Sequence, residues 1–95
     1  EEVPAYLPEL VNGVLAHQDE LDAQIESKLA PGWTLSRLAR PDLVILRLAL
    51  YELEYTQVPN AVAINEALRL AHDFSDEKSY RFINGVLGSI ESEQN

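Results

Sequence analysis

Apolar residues recur along the first third of the chain at helical intervals. Val3, Leu7, Leu10, Val14, Leu21, Ile25 and Leu29 are spaced by three, four and seven, which places them on one stripe of an amphipathic helix. Pro4 suits a first turn, whereas Pro8 kinks the helix or marks its true start. Pro31-Gly32 stops it. Residues 33–39 suit a short helical turn led by Thr34. Pro41 and Asp42 then open a new helix, with the proline at or before its first position and the acid in its first turn. From residue 43 to 53 this helix is apolar on nearly every side, as expected of a central, buried one. Residues 54–60 read as a loop in which Val58-Pro59 is extended. Asn60 is placed to cap a helix over residues 61–73, and Ser75 to cap the last helix, with Asp76 and Glu77 near its N-terminus. Phe82, Ile83, Val86, Leu87 and Ile90, with Tyr80 or Ser79, give that helix its core face. Residues 91–95 read as a frayed tail. No segment alternates with period two between turn signals. The expected fold is all-α, a helical bundle of four to five helices joined by short loops.

Composition narrows the class. The chain has 95 residues, enough for one domain over 1–95 with one modest core. At 46% hydrophobic and 24% charged it is globular rather than disordered. No apolar run is long enough for a membrane span, and no signal-peptide layout opens the chain. With no cysteine there is no disulfide and no thiolate metal site, which fits a cytoplasmic protein weakly. The net charge is −9. Its distribution matters more: residues 1–30 hold seven acids against Lys28 alone, while residues 31–90 are nearly balanced. Such a balance suits a solvated acidic face and opposes non-specific nucleic-acid binding, which rests on phosphate contacts. The absence of methionine and a start inside an apolar pattern are expected of a fragment.

Catalysis has little support. There is no Cys, and no Ser sits in a strained Gly-x-Ser-x-Gly turn. His17 and His72 each lack a second His at helical spacing, so no metal pair is formed. The four glycines are scattered and build no phosphate loop. No cofactor is implied. The polar residues embedded in apolar helices are the sharper signal. A guanidinium among Leu, Ile, Val and Ala must reach an edge or meet an acid. Arg47 is therefore expected to pair with Glu66 or Glu52 and so hold helix register. Asn65 and Asn84 are expected to join a buried amide network. The echo of Leu10-Val-Asn-Gly-Val-Leu15 in Phe82-Ile-Asn-Gly-Val-Leu87 is either coincidence or a sign that Gly13 and Gly85 let helix backbones approach closely. Lys78, Arg81 and Phe82, with Tyr80 adjacent, form the one basic–aromatic cluster recognised in the sequence. Residues 78 and 82 share a helix face. Rings that stack bases beside cations that meet phosphates suit single-stranded nucleic acid, although Phe82 also suits a core position.

Three motifs carry a resemblance. Ile-Leu-Arg-Leu-Ala-Leu-Tyr-Glu at 45–52, Val-Ala-Ile-Asn-Glu-Ala at 62–67 and Phe-Ser-Asp-Glu-Lys-Ser-Tyr-Arg-Phe-Ile-Asn-Gly-Val-Leu at 74–87, with Val58-Pro59 between the first two, resemble the bacterial transcription antitermination factors of the NusB family. The likeness runs from about Tyr6 to Ile90. It implies an all-α fold of two small bundles whose first two helices, with their Arg-rich RNA-binding start, are missing here. It also implies an adaptor without catalytic activity. The implied partners are the single-stranded boxA element of nascent ribosomal RNA, the small-subunit ribosomal protein NusE and the RNA polymerase antitermination complex. Carried onto this chain, Lys78, Arg81 and Phe82 become RNA-proximal and Asp42 falls on the partner-protein face. Two other readings stand beside it: an acidic helical protein-interaction module without RNA binding of its own, and a NusB-like domain of a ribosomal RNA methyltransferase. Apolar surface left open by missing helices would allow a homodimer.

Overall fold

The computed structural model describes residues 6–94. Val3 and Pro4 lie outside them. Five helices follow in order: α1 (Tyr6–Ala16), α2 (Gln18–Glu26), α3 (Arg40–Tyr55), α4 (Asn60–Phe74) and α5 (Glu77–Gln94), with a single 3-10 turn at Leu35–Arg37 between α2 and α3. No strand occurs among the described residues.

The first stripe folds as two helices rather than one. His17 leaves helical geometry at φ −114° and ψ 16°. Its N–H still reaches the carbonyls of Gly13 and Val14, and its own carbonyl accepts from Leu21. The axis therefore bends without losing register. Leu10, Val14, Leu21 and Ile25 are all buried, because a step of seven residues spans the break as readily as it spans two intact turns. Gly32 then takes the left-handed conformation at φ 86°, which a β-carbon would penalise, and so turns the chain after α2.

The central helix α3 packs against α1, α2, α4 and α5. It starts with Pro41 in its first turn, with Ala39 at the cap, and ends where the Thr56 hydroxyl donates to the Glu52 carbonyl and accepts from the Val58 N–H. That turn uses up local backbone groups and leads into Pro59, which holds the cap position of α4. The Pro59 carbonyl accepts the Val62 and Ala63 N–H groups. Asn60 is thus the first helical residue and not the expected cap. Ala63, Ala67 and Ala71, four residues apart, are the buried face of α4. Small side chains at that spacing allow a close fit against the neighbouring helices α3 and α5.

From α5, Ile83, Val86, Leu87 and Ile90 enter the core as expected. Leu21, Ile25, Leu46, Leu50, Ile83 and Leu87 are its largest fully buried side chains. Each contributes about 1.5–3 kcal/mol of transfer free energy. All five helices thus contribute to one core, and the groove-lining segments 28–42 and 78–82 lie side by side on it.

Candidate functional site

One carboxylate sets the geometry where those segments meet. Asp42, in the first turn of α3, is only 6% exposed. Its Oδ1 accepts a hydrogen bond from the Ser75 hydroxyl at 3.0 Å and its Oδ2 accepts one from the Ser79 hydroxyl at 2.7 Å. A buried carboxylate needs such donors to offset its lost hydration. Asp42, expected on a partner-protein face, lies at the floor of an open groove with both of its oxygens hydrogen-bonded within the fold. Ser75, expected to cap α5, is one of those donors. The cap is Asp76, whose Oδ1 accepts the Ser79 N–H at 2.8 Å. That bond is the first cause holding the Asp76 carboxyl below its ordinary value.

The start of α5 is therefore tied to α3, and Lys78 and Phe82 are held along one wall of an open groove of about 560 Å³. Leu29, Trp33, Arg37 and Leu38 line the groove with them, and Lys28 lies at the same site. Trp33 is 47% exposed, and the Arg37 guanidinium lies over its ring, 5.4 Å from the centroid. Lys28 donates to the Glu93 carboxylate near the end of α5. Arg81 does not line this groove; it is exposed and bonds Glu77 one turn back at 3.2 Å. Of the expected cluster, the structure brings together Lys78 and Phe82 and sets Arg81 apart. It adds Trp33 and Arg37, a second aromatic–basic pair. Their spacing of four was a visible signal in the sequence, obscured because residues 33–39 read only as a turn.

The comparisons with known proteins decide the family. The NusB family model matches residues 1–92. The chain belongs to the NusB family. It is similar to the transcription antitermination protein NusB of Limosilactobacillus reuteri (strain DSM 20016), with 59% identity over 96 residues that cover 100% of this chain and 70% of that protein. It is also similar to the protein of the same name from Limosilactobacillus fermentum, with 64% identity over 91 residues, 95% of this chain and 66% of that one. Among solved structures, T. maritima NusB superposes with a TM-score of 0.84 at 35% identity, covering 90% of this chain and 60% of that chain. The chain thus spans roughly two thirds of the length of these relatives. The two Limosilactobacillus proteins are named for antitermination, not for a reaction, and the all-α fold is the one expected from the helical periodicity.

Within this NusB fold the other polar residues fall differently from expectation. Arg47 pairs with Asp22 of α2, Nε to Oδ1 at 2.7 Å and one terminal nitrogen to Oδ2 at 2.8 Å. Both side chains are about one-fifth exposed, at 21% and 19%. This two-point pair replaces the predicted Glu66 or Glu52 partner. Glu66 is exposed on α4 and Glu52 is half-buried. Asn65 and Asn84 are both exposed, so the buried amide network is corrected as well. Gly13 is a close approach: a β-carbon there would collide with the Tyr51 ring. Gly85 is not, since nothing lies within 4 Å of the corresponding position.

At the α1–α2 break, the His17 ring stacks on Tyr55 with centroids 4.1 Å apart, and Tyr51 stacks on Tyr55 at 5.3 Å. Glu20 accepts from the Tyr55 hydroxyl at 3.2 Å and bonds the His17 Nδ1 at 3.0 Å. These bonds, that of His17 first, hold the Glu20 carboxyl below its ordinary value. Partial burial and then the Glu20 carboxylate push the Tyr55 phenol up. Among the described residues no group of His, Asp and Glu is arranged to hold a metal ion. Among the same residues no helix is long and apolar enough to cross a membrane.

Proposed function

We propose that this chain acts in the cytoplasm as an RNA-binding adaptor in transcription antitermination, contacting single-stranded boxA RNA together with the ribosomal protein NusE and the RNA polymerase complex. Membership of the NusB family supports the antitermination role. The observation that carries the RNA side is the groove, which Lys78, Phe82, Trp33 and Arg37 line together. Cations for phosphates and rings for bases are the two things a single strand requires. Phosphate contacts supply affinity, and stacking tolerates sequence.

Fluorescence anisotropy of labelled boxA RNA tests this, with the chain premixed with the NusE-type protein. Binding beyond that of the partner alone is expected, weakened by Lys78→Ala. No added binding would overturn the RNA reading. A protein-docking role is the second reading. The surface of α4 favours it, since Val62 and Leu70 lie exposed along that helix and Phe74 at its end.

A further inference from the structure

We propose that Trp33, with Arg37 laid over its ring, is a base-stacking platform that receives an unpaired base of single-stranded RNA in the groove that Phe82 also lines. The inference rests on the RNA reading above and adds to it the residues that contact the base.

Three observations lead to this assignment. The first is exposure. Trp33 is the chain's single tryptophan, and almost half of its surface stays open. Large rings normally bury most of their area, so an open indole beside a groove is available for contact. The second is the guanidinium at 5.4 Å from the ring centroid. It engages the indole by cation–π attraction and keeps a positive charge beside the place where a stacked base would carry its phosphate. The third is the rest of the lining. Phe82 and Lys78 repeat the same pairing of ring and cation on α5, and the Asp42–Ser79 bond ties the start of that helix to α3.

Charge selects the occupant. The chain as a whole carries −9, yet the groove presents Arg37 and Lys78, while its one lining acid, Asp42, is buried and occupied by two hydroxyls. Lys28 also lines it but is answered by Glu93. An anion is therefore drawn to this part of an otherwise repelling surface. A cleft of about 560 Å³ is the size of a small-ligand site, which suits splayed-out bases and excludes a duplex. An acidic peptide would satisfy the cations but would leave the two rings without stacking partners.

The position of Trp33 makes the test direct, because its emission reports on the groove alone. The full chain is titrated with unlabelled boxA RNA while tryptophan fluorescence is followed, and with labelled boxA RNA while anisotropy is followed. Quenching that saturates in step with anisotropy is expected. Trp33→Ala should weaken binding about tenfold or more, Trp33→Phe should retain most of it, and Arg37→Ala should lower the salt slope by about 0.7. Circular dichroism of each variant should match the parent, since Trp33 lies outside the core. If anisotropy rises while emission stays constant and Trp33→Ala binds normally, the platform is wrong and the RNA reading survives. If anisotropy does not change even with the NusE-type protein premixed, the RNA reading fails and the platform fails with it. Equal quenching by a poly-glutamate peptide would overturn the platform in favour of a peptide groove.

Discussion

Tyr51 lies across Gly13 so closely that no β-carbon fits between them, whereas Gly85, in a near-identical sequence setting, faces open space. Opposite signs follow. Gly13→Ala should destabilise the protein by about 1–3 kcal/mol through overpacking. Gly85→Ala should stabilise it by about 0.5–1 kcal/mol, because alanine loses less backbone freedom in a helix. Urea denaturation of the two variants checks this, and a like-signed pair would refute the packing difference. The Arg47–Asp22 pair is the second test at this scale. Each partner alone leaves a partly buried charge, so Arg47→Met and Asp22→Ala should each cost about 1–3 kcal/mol. The double variant should cost less than their sum. Residue identity announced that Arg47 needed an acid but not which one. The chosen partner lies 25 positions away on a helix whose acids all read as solvated. Asn65 and Asn84 misled for a related reason: a helix flanked by aliphatic residues still has an outer face, and both point to it.

Among the elements, α5 depends on one cap. Asp76 holds a proton less readily in the folded chain than in the unfolded one because its carboxylate accepts the Ser79 N–H. A lowered folded value means that this stabilisation is present above the ordinary aspartate value of 3.8 and is lost as pH falls below it. Acid titration followed by circular dichroism should therefore show Asp76→Ala with a lower melting temperature than the parent at pH 7 and a smaller difference near pH 3. Asp76→Asn, which keeps an acceptor, should lie between. Glu20, bonded across the α1–α2 break, shifts in the same direction and adds to the same acid limb. The helices themselves were legible from apolar spacing. Their ends were less so, because Ser75, Asp76 and Asn60 are all competent caps, and tertiary demand from Asp42 removed Ser75 from the role.

For the whole molecule, the groove was half visible in the sequence. Lys78 and Phe82 share a helix face by simple periodicity. Trp33 and Arg37 sit some forty positions earlier, and only the packing of α2 and α5 around α3 brings them across. Binding should weaken with salt in proportion to the few phosphates that the groove cations meet. Lys78→Ala should reduce the slope of log affinity against log salt by about 0.7 for a single strand, which anisotropy titrations at several salt concentrations will measure. The position of α3 has a different consequence. A helix that touches α1, α2, α4 and α5 cannot open while any of them remains docked. Its central amides, around Leu46 to Leu50, should exchange hydrogen for deuterium only when the entire chain unfolds. Those of α1, which meets only α2 and α3 to any extent, should exchange through smaller openings. The slowest-exchanging amides would then read out global stability directly.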